Sequence, residues 1–356
     1  MKSGRVAVAM SGGVDSSLVC ALLIERGYTV EGVTMRLWSE EPGTWDGAVE
    51  SARQVAKYLD VPHRVVDLGD PFRRVVVTDF IASYTSGRTP NPCVLCNPTI
   101  KFGALWTALR GDFDYIATGH YVRTMWDEKR GRHLLLRGAD PSKDQSYVLY
   151  GLDQEQLARS VFPLGCHTKD QVREMVRERN LPFIDRGESQ EICFLHGEDY
   201  REFLKRHASG AIHPGPVFDT CGNRLGEHDG LPFYTVGQRR GIGISASEPL
   251  YVIEKNMEEN ALIVGSRQAL QSRGAELCSV NWIPFSQLRE PMPVTAQIRY
   301  NADAVKARLV PFGWDDGRAQ LTFERPQLAV TPGQSAVCYV DDRVVGGGII
   351  ARSLSE

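Results

Sequence analysis

The stretch Arg5-Val6-Ala7-Val8-Ala9-Met10-Ser11-Gly12-Gly13-Val14-Asp15-Ser16-Ser17-Leu18-Val19 decides the fold. Residues 5–10 read as a short buried strand, apolar from Val6 to Met10. Residues 15–26 place Leu18, Val19, Leu22 and Leu23 on one side of a helix, and two glycines separate the two patterns. A strand that passes through a glycine turn into a helix opens a βαβ unit, and the following residues repeat the rhythm. Strands are expected over 28–34, 63–67 and 114–118, and helices over 45–59, 71–84 and 100–109. Alternation at this spacing implies right-handed crossovers and a doubly wound, mostly parallel sheet, an α/β class fold.

Further along, Arg88-Thr89-Pro90-Asn91-Pro92-Cys93-Val94-Leu95-Cys96-Asn97-Pro98 breaks the rhythm, and its three prolines predict a loop. A hairpin is expected over 124–138 and interrupted helix over 145–180. Beyond about residue 210 glycine and proline become frequent and helical periodicity fades. Short strand patterns at 250–253 and 262–264 predict a small β-containing middle domain. Five evenly spaced strand patterns, at 294–300, 305–310, 319–323, 336–340 and 344–350, predict a β-barrel at the C-terminal end. The expected domains are 1–205, 206–272 and 273–356.

At 356 residues the chain has ample core-forming capacity. Its 41 Lys+Arg against 44 Asp+Glu give a formal charge of −3, so a nucleic-acid site has to be a local basic face. Apolar runs stay well short of the roughly 18 residues of a membrane span. The apolar stretch 6–10 is shorter than the roughly 7–15 residues of a signal core, which predicts a cytoplasmic protein. Eight cysteines are too sparse for a disulfide scaffold; Cys93 and Cys96 form the one close pair, with Cys193 as a distant third thiol.

The 11–17 loop lies where free backbone N–H groups and the positive end of a helix converge, a site for a phosphate. Gly12 and Gly13 permit close approach, Ser11, Ser16 and Ser17 offer hydroxyls, and Asp15 is a candidate ligand for a Mg2+ bridging phosphates. No lysine follows the glycines and there is no G-x-G-x-x-G, so ordinary kinase, GTPase and dehydrogenase chemistry is disfavoured. Two thiols on loops suit sulfur transfer, which needs a thiolate or persulfide nucleophile and a second thiol to release the product. A half zinc site and plain buried cysteines are the competing readings of Cys93 and Cys96.

Ser11-Gly12-Gly13-Val14-Asp15-Ser16 resembles the pyrophosphate loop of the ATP pyrophosphatases, which implies cleavage of ATP to AMP and pyrophosphate. Gly87 to Asn97, Ala117 to Tyr121, Lys143 to Tyr147, Glu191 to Phe194 and Tyr234 to Gly241 then follow in order. Together they resemble the bacterial tRNA-specific 2-thiouridylase family over essentially the whole chain. The resemblance implies an ATP-dependent sulfurtransferase acting on the wobble uridine, U34, in the anticodon stem-loop of tRNA, with a cysteine desulfurase or sulfur relay as donor and no membrane partner. It assigns ATP contacts to Ala9, Met10, Ser11, Gly12, Gly13, Val14, Asp15, Ser16, Met35 and Gly119. tRNA contacts fall to His120, Lys143, Asp144, Gln145, Arg299, Tyr300 and Gln334, and a target-base loop to Asn91, Pro92 and Cys93. Cys96 resembles the family's nucleophile and Cys193 its persulfide carrier, the two closing a disulfide during turnover.

One departure stands out. Many relatives carry Asp at the position of Cys93, where it is the candidate for acid–base assistance. With Cys here, an alternative route uses a [4Fe-4S] cluster held by Cys93, Cys96 and Cys193. A further alternative is a different ATP pyrophosphatase that amidates its substrate and has no need of Cys96 or Cys193.

Overall fold

The computed structural model describes residues 4–182, 192–312 and 317–355. Its first sheet holds β1 (Arg5–Ala9), β2 (Thr29–Arg36), β3 (His63–Asp67), β4 (Tyr115–Ala117) and β7 (Ser160–Val161) in the order β3-β2-β1-β4-β7. Every pairing in it is parallel, as alternation of strands and helices requires. Helix Val14–Glu25 buries eight of its residues, Ser16 to Leu23, because it lies between the sheet and the Lys169–Glu178 helix. Helix Asp46–Tyr58, whose Val49, Ala52, Val55 and Ala56 recur at helical spacing and are buried, packs on that same side, and the segments over 68–109 cover the other, with Phe72, Val76, Phe80 and Leu105 in the cluster that holds Ala7 and Val33.

The hairpin β5 (Val122–Asp127) and β6 (Arg132–Arg137) leaves this domain and joins the C-terminal one, where Leu136 pairs with Arg343. There β12 (Gln271–Trp282), β13 (Met292–Gln297), β14 (Val305–Pro311), β15 (Arg318–Leu328), β16 (Ser335–Val340) and β17 (Arg343–Leu354) run in the order β12-β15-β14-β13-β16-β17. A pairing between β12 and β17 closes the ring, so the barrel has no free edge. The sequence reading missed β12: its polar start and its bulges at 272–274 and 278–281 hide the alternation.

Between the two lies a four-stranded sheet, β10-β11-β8-β9, from β8 (Gly215–Asp219), β9 (Arg224–His228), β10 (Tyr251–Asn256) and β11 (Ala261–Gly265). Among the described residues no helix is long and apolar enough to cross a membrane.

The proline-rich segment departs from expectation. Helix Pro92–Cys96 replaces the predicted loop, and a π-helix, Asn97–Ala104, continues from it. Asn91 caps the first helix by accepting the Cys93 N–H at 3.1 Å, and Pro92 occupies the first turn, where a missing N–H costs nothing. Pro98 lacks the N–H that an α-helix would use, and the wider π turn follows. Gly103 faces that turn; a Cβ there would lie 2.7 Å from the Pro98 carbonyl oxygen.

Candidate active site

The chain moves from β1 to one side of the sheet and later returns to β4 on the other, so the crevice beyond β1 and β4 is the topological switch point where α/β sheets bind ligands. Residues 11–13 follow β1 and Gly119-His120 follow β4. Gly12 has φ +74 and would place a Cβ 2.2 Å from that of Ser51, so only glycine fits. Gly13 begins the helix in extended backbone with no side chain capping it. Ser16 and Ser17 donate their hydroxyls to the Gly13 carbonyl, at 3.2 and 2.9 Å, and the Ser11 N–H donates to Ser16 Oγ at 3.2 Å. The hydroxyls fold the loop, while the helix start keeps amides for an anion. Ala9 ends β1 opposite Val33, Met10 is buried behind the loop, and Met35 lies near the end of β2.

Asp15 is engaged from two directions. Lys169 Nζ donates to its Oδ1 and Oδ2 at 2.7 and 2.8 Å, and the Tyr121 hydroxyl donates to Oδ1 at 2.7 Å. Gly119 admits this contact, since its Cβ would come within 2.9 Å of the Asp15 Cβ. These bonds take three of the roughly four acceptor positions of Asp15 and leave one on Oδ2 for the Mg2+ contact expected of it. Lys169 carried no signal in the sequence, because 154 residues separate it from Asp15.

The thiols are linked to His120, which follows β4, through Lys101, whose charge acts on Cys96, Cys193 and His120. Cys96 is buried, whereas Cys93 and Cys193 are exposed, and all are free thiols. Burial pushes Cys96 up to about 12, opposed by the nearby Lys101 ammonium and reinforced by Cys193 and Cys93. Although Cys193 is exposed as a residue, the chain packed around its sulfur and the charge of Cys93 raise its thiol to about 11, again opposed by Lys101. The three cysteines therefore feel one another's charge. Among the described residues, however, no three His, Cys, Asp or Glu side chains converge as metal ligands, so the [4Fe-4S] alternative is not supported. Lys101, which the sequence reading passed over, reaches this site because the π-helix makes five residues little more than one turn.

His120 is buried, bonded through Nδ1 to the Thr118 hydroxyl at 2.7 Å, and burial, with Lys101 nearby, holds it well below the usual histidine range. Its ring sits between Phe102 and Phe162. Asp144 turns inward, accepting Arg137 at 2.9 Å, the N–H groups of Gly138 and Ser146, and the Ser146 hydroxyl. Gln145 Oε1 accepts the Tyr121 N–H at 3.0 Å, and Lys143 beside it is half-buried. Arg299 is exposed and donates to the Leu328 carbonyl at 3.2 Å, with Tyr300 exposed next to it and its ring 5.7 Å from that of Tyr147. Gln334 donates to the Thr89 carbonyl at 2.8 Å, which places a barrel loop on the strand of chain leading to Asn91, Pro92 and Cys93.

Family models match the chain in three consecutive parts: a tRNA methyl transferase HUP domain over residues 4–197, a tRNA methyl transferase PRC-barrel domain over 201–266 and an aminomethyltransferase beta-barrel domain over 272–350. Full-length relatives carry a different name. A tRNA-specific 2-thiouridylase MnmA of Moorella thermoacetica is 49% identical over 352 residues, 96% of this chain and 98% of that one. Those of Desulforamulus reducens and Natranaerobius thermophilus are each 45% identical, covering 99% and 100% of this chain and 98% and 100% of theirs. Methyl transfer needs neither a phosphate loop nor neighbouring thiols, and both are present. The chain belongs to the tRNA-specific 2-thiouridylase family.

Proposed function

We propose that the protein replaces the C2 oxygen of U34 in tRNA by sulfur, consuming ATP. The observation that carries this reading is a pair of thiols of unequal exposure that share one lysine: Cys193 lies at the surface, Cys96 is buried, and Lys101 acts on both. A donor protein reaches Cys193 and leaves a persulfide there, while Cys96 stays shielded.

The C2 carbonyl of uridine is a poor electrophile. Attack of its oxygen on the α-phosphate of MgATP releases pyrophosphate and makes AMP the leaving group, with loop amides stabilising the phosphate charge. The terminal sulfur of the Cys193 persulfide adds at C2 and AMP departs. The Cys96 thiolate then attacks the Cys193 sulfur, an S–S bond closes between the two cysteines, and the electron pair of the broken bond stays on the sulfur now at C2. A cellular dithiol returns the disulfide to two thiols. Lys101 offsets part of the cost of charging Cys96 and Cys193.

On this reading the basic side chains Lys143 and Arg299 face the tRNA backbone, and His120, Gln145, Tyr300 and Gln334 line its path toward the thiols. Asp144 acts one step removed, by holding Arg137 and the turn that presents Lys143. The test is incubation of full-length protein with tRNA, MgATP and a persulfide donor. Expected are 2-thiouridine at position 34, with AMP and pyrophosphate in step with it. ADP and phosphate as products, or tRNA left unmodified by active donor, would overturn the proposal.

A further inference from the structure

Helix Val14–Glu25 and helix Lys169–Glu178 lie side by side in the same direction, tied at both ends. Asp15 meets Lys169 at their N-terminal ends, and Glu25 meets Arg179 at 2.7 Å at the other, with the same separation of 154 residues in both pairs. Both positive helix ends therefore point at one place, and Lys169 is the first residue of its helix. A lysine there opposes the local dipole, which favours anions. Its side chain is only 12% exposed and meets the Asp15 carboxylate, while the Asp140 carboxylate accepts the Lys169 backbone N–H at 3.0 Å. The ammonium is thereby held beside the open amides at the start of the first helix, where a phosphate would meet both.

We propose that Lys169 is the cation of the nucleotide loop, contacting the β-phosphate end of ATP, and that Asp15 and Tyr121 position it. This rests on the ATP-to-AMP reading above. In the adenylation step the uridine oxygen forms a bond to the α-phosphorus, the bond from that phosphorus to the bridging oxygen breaks, and its electron pair leaves with pyrophosphate. The new charge appears on the leaving group, where the Lys169 ammonium donates to it. Of its three N–H donors two are spent on Asp15, and the third is free for a phosphate oxygen. Mg2+ arrives with the triphosphate as part of the substrate.

The experiment measures tRNA-dependent pyrophosphate release by the full-length protein as MgATP and free Mg2+ are varied. Lys169→Gln is expected to lower kcat by roughly 100-fold or more, the scale for removing one preorganised charge donor. Lys169→Arg is expected to recover part of that loss, and Asp15→Asn to lose roughly 10-fold, an indirect effect, with the Mg2+ half-saturation point unchanged in both Lys169 variants. Arg179→Ala, which cuts the pair at the far end of the same helices, is the control for helix docking and is expected to keep wild-type kcat. If Lys169→Gln fails to fold, the charge-neutral pair Asp15→Asn with Lys169→Gln buries no unpaired ion and is expected to show the full loss. Lys169→Gln within about twofold of wild type would overturn the proposal. ADP and phosphate from the wild type would overturn the ATP-to-AMP reading itself, and that result is read before any variant is made.

Discussion

Gln334 donates its side-chain amide to the main-chain carbonyl of Thr89 at 2.8 Å, across 245 residues of sequence, and the Thr89 N–H returns a bond to the Pro332 carbonyl at 2.9 Å. The barrel thus holds the chain just before the helix that carries Cys93 and Cys96. The Thr89 hydroxyl also donates to Thr235 at 3.3 Å, so all three domains meet there.

Gly333 makes this contact possible. It has φ +91, and a Cβ would lie 2.7 Å from the Thr89 nitrogen. Gly333→Ala is expected to destabilise the protein by about 1–3 kcal/mol through backbone strain and the forced shift. Because the shift reaches the thiols and not the phosphate loop, 2-thiouridine yield is expected to fall more than ATP binding. Urea melts and nucleotide titration of the one variant check both; equal losses would sever the link between barrel and cysteine helix.

The three cysteines are expected to differ. Cys96→Ala and Cys193→Ala each abolish thiolation, because one thiol carries the sulfur and the other releases the product. Cys93→Ala retains substantial thiolation, since Cys93 is exposed and outside the two-thiol cycle. Mass spectrometry of tRNA hydrolysates decides, and loss of all activity in Cys93→Ala would give that thiol a chemical step.

The pH dependence follows from the raised thiols. With Cys96 at about 12, its thiolate fraction grows tenfold per pH unit through the neutral range. The single-turnover rate of thiol release is therefore expected to rise between about pH 7 and 9. Lys101→Met is expected to slow that step at every pH in the window, by roughly 10-fold, because it removes the cation that favours both thiolates. A flat profile in the wild type would place another step in control.

Stability is expected to move the opposite way with pH. Burial raises Cys20, Cys96 and Cys338 from 9.0 to about 12 each, so between these values the folded protein holds protons that the unfolded chain has lost. The contribution is fully present below about pH 9 and is lost as pH rises toward 12. Urea midpoints across that range are expected to fall, and Cys20→Ala and Cys338→Ala to flatten the decline.

Binding of tRNA is expected to weaken with salt even though the protein carries a formal charge of −3, because local cations displace counterions from phosphates. Lys143→Ala and Arg299→Ala are each expected to reduce the slope of log K against log salt by about 1. An unchanged slope in both would move the tRNA to another face.

Period and glycine placement made the first domain legible: a strand, Gly12-Gly13 and an apolar helix face can form little else, and the site at the end of β1 follows from the same residues. The proline-rich segment was misread because prolines break helices in their interior but start them well, and only the Asn91 cap distinguishes the two cases. β12 escaped because a bulged strand pairing with two partners loses its alternation, and the β5–β6 hairpin was assigned to its neighbours in sequence rather than to the barrel it extends.

Local chemistry, by itself, determined the parallel α/β domain and the phosphate loop, since each depends on residues a few positions apart, while the candidacy of Cys96 and Cys193 came from the resemblance of the motifs that hold them. Tertiary structure alone decided the rest. It paired Asp15 with Lys169, brought Lys101 to the thiols, turned Asp144 inward, buried Cys96 while leaving Cys193 exposed, and gave the three cysteines no shared metal geometry. The physical reason is common to all of these: burial and electrostatic coupling fall off over a few ångströms in space, and sequence distance carries no measure of that separation.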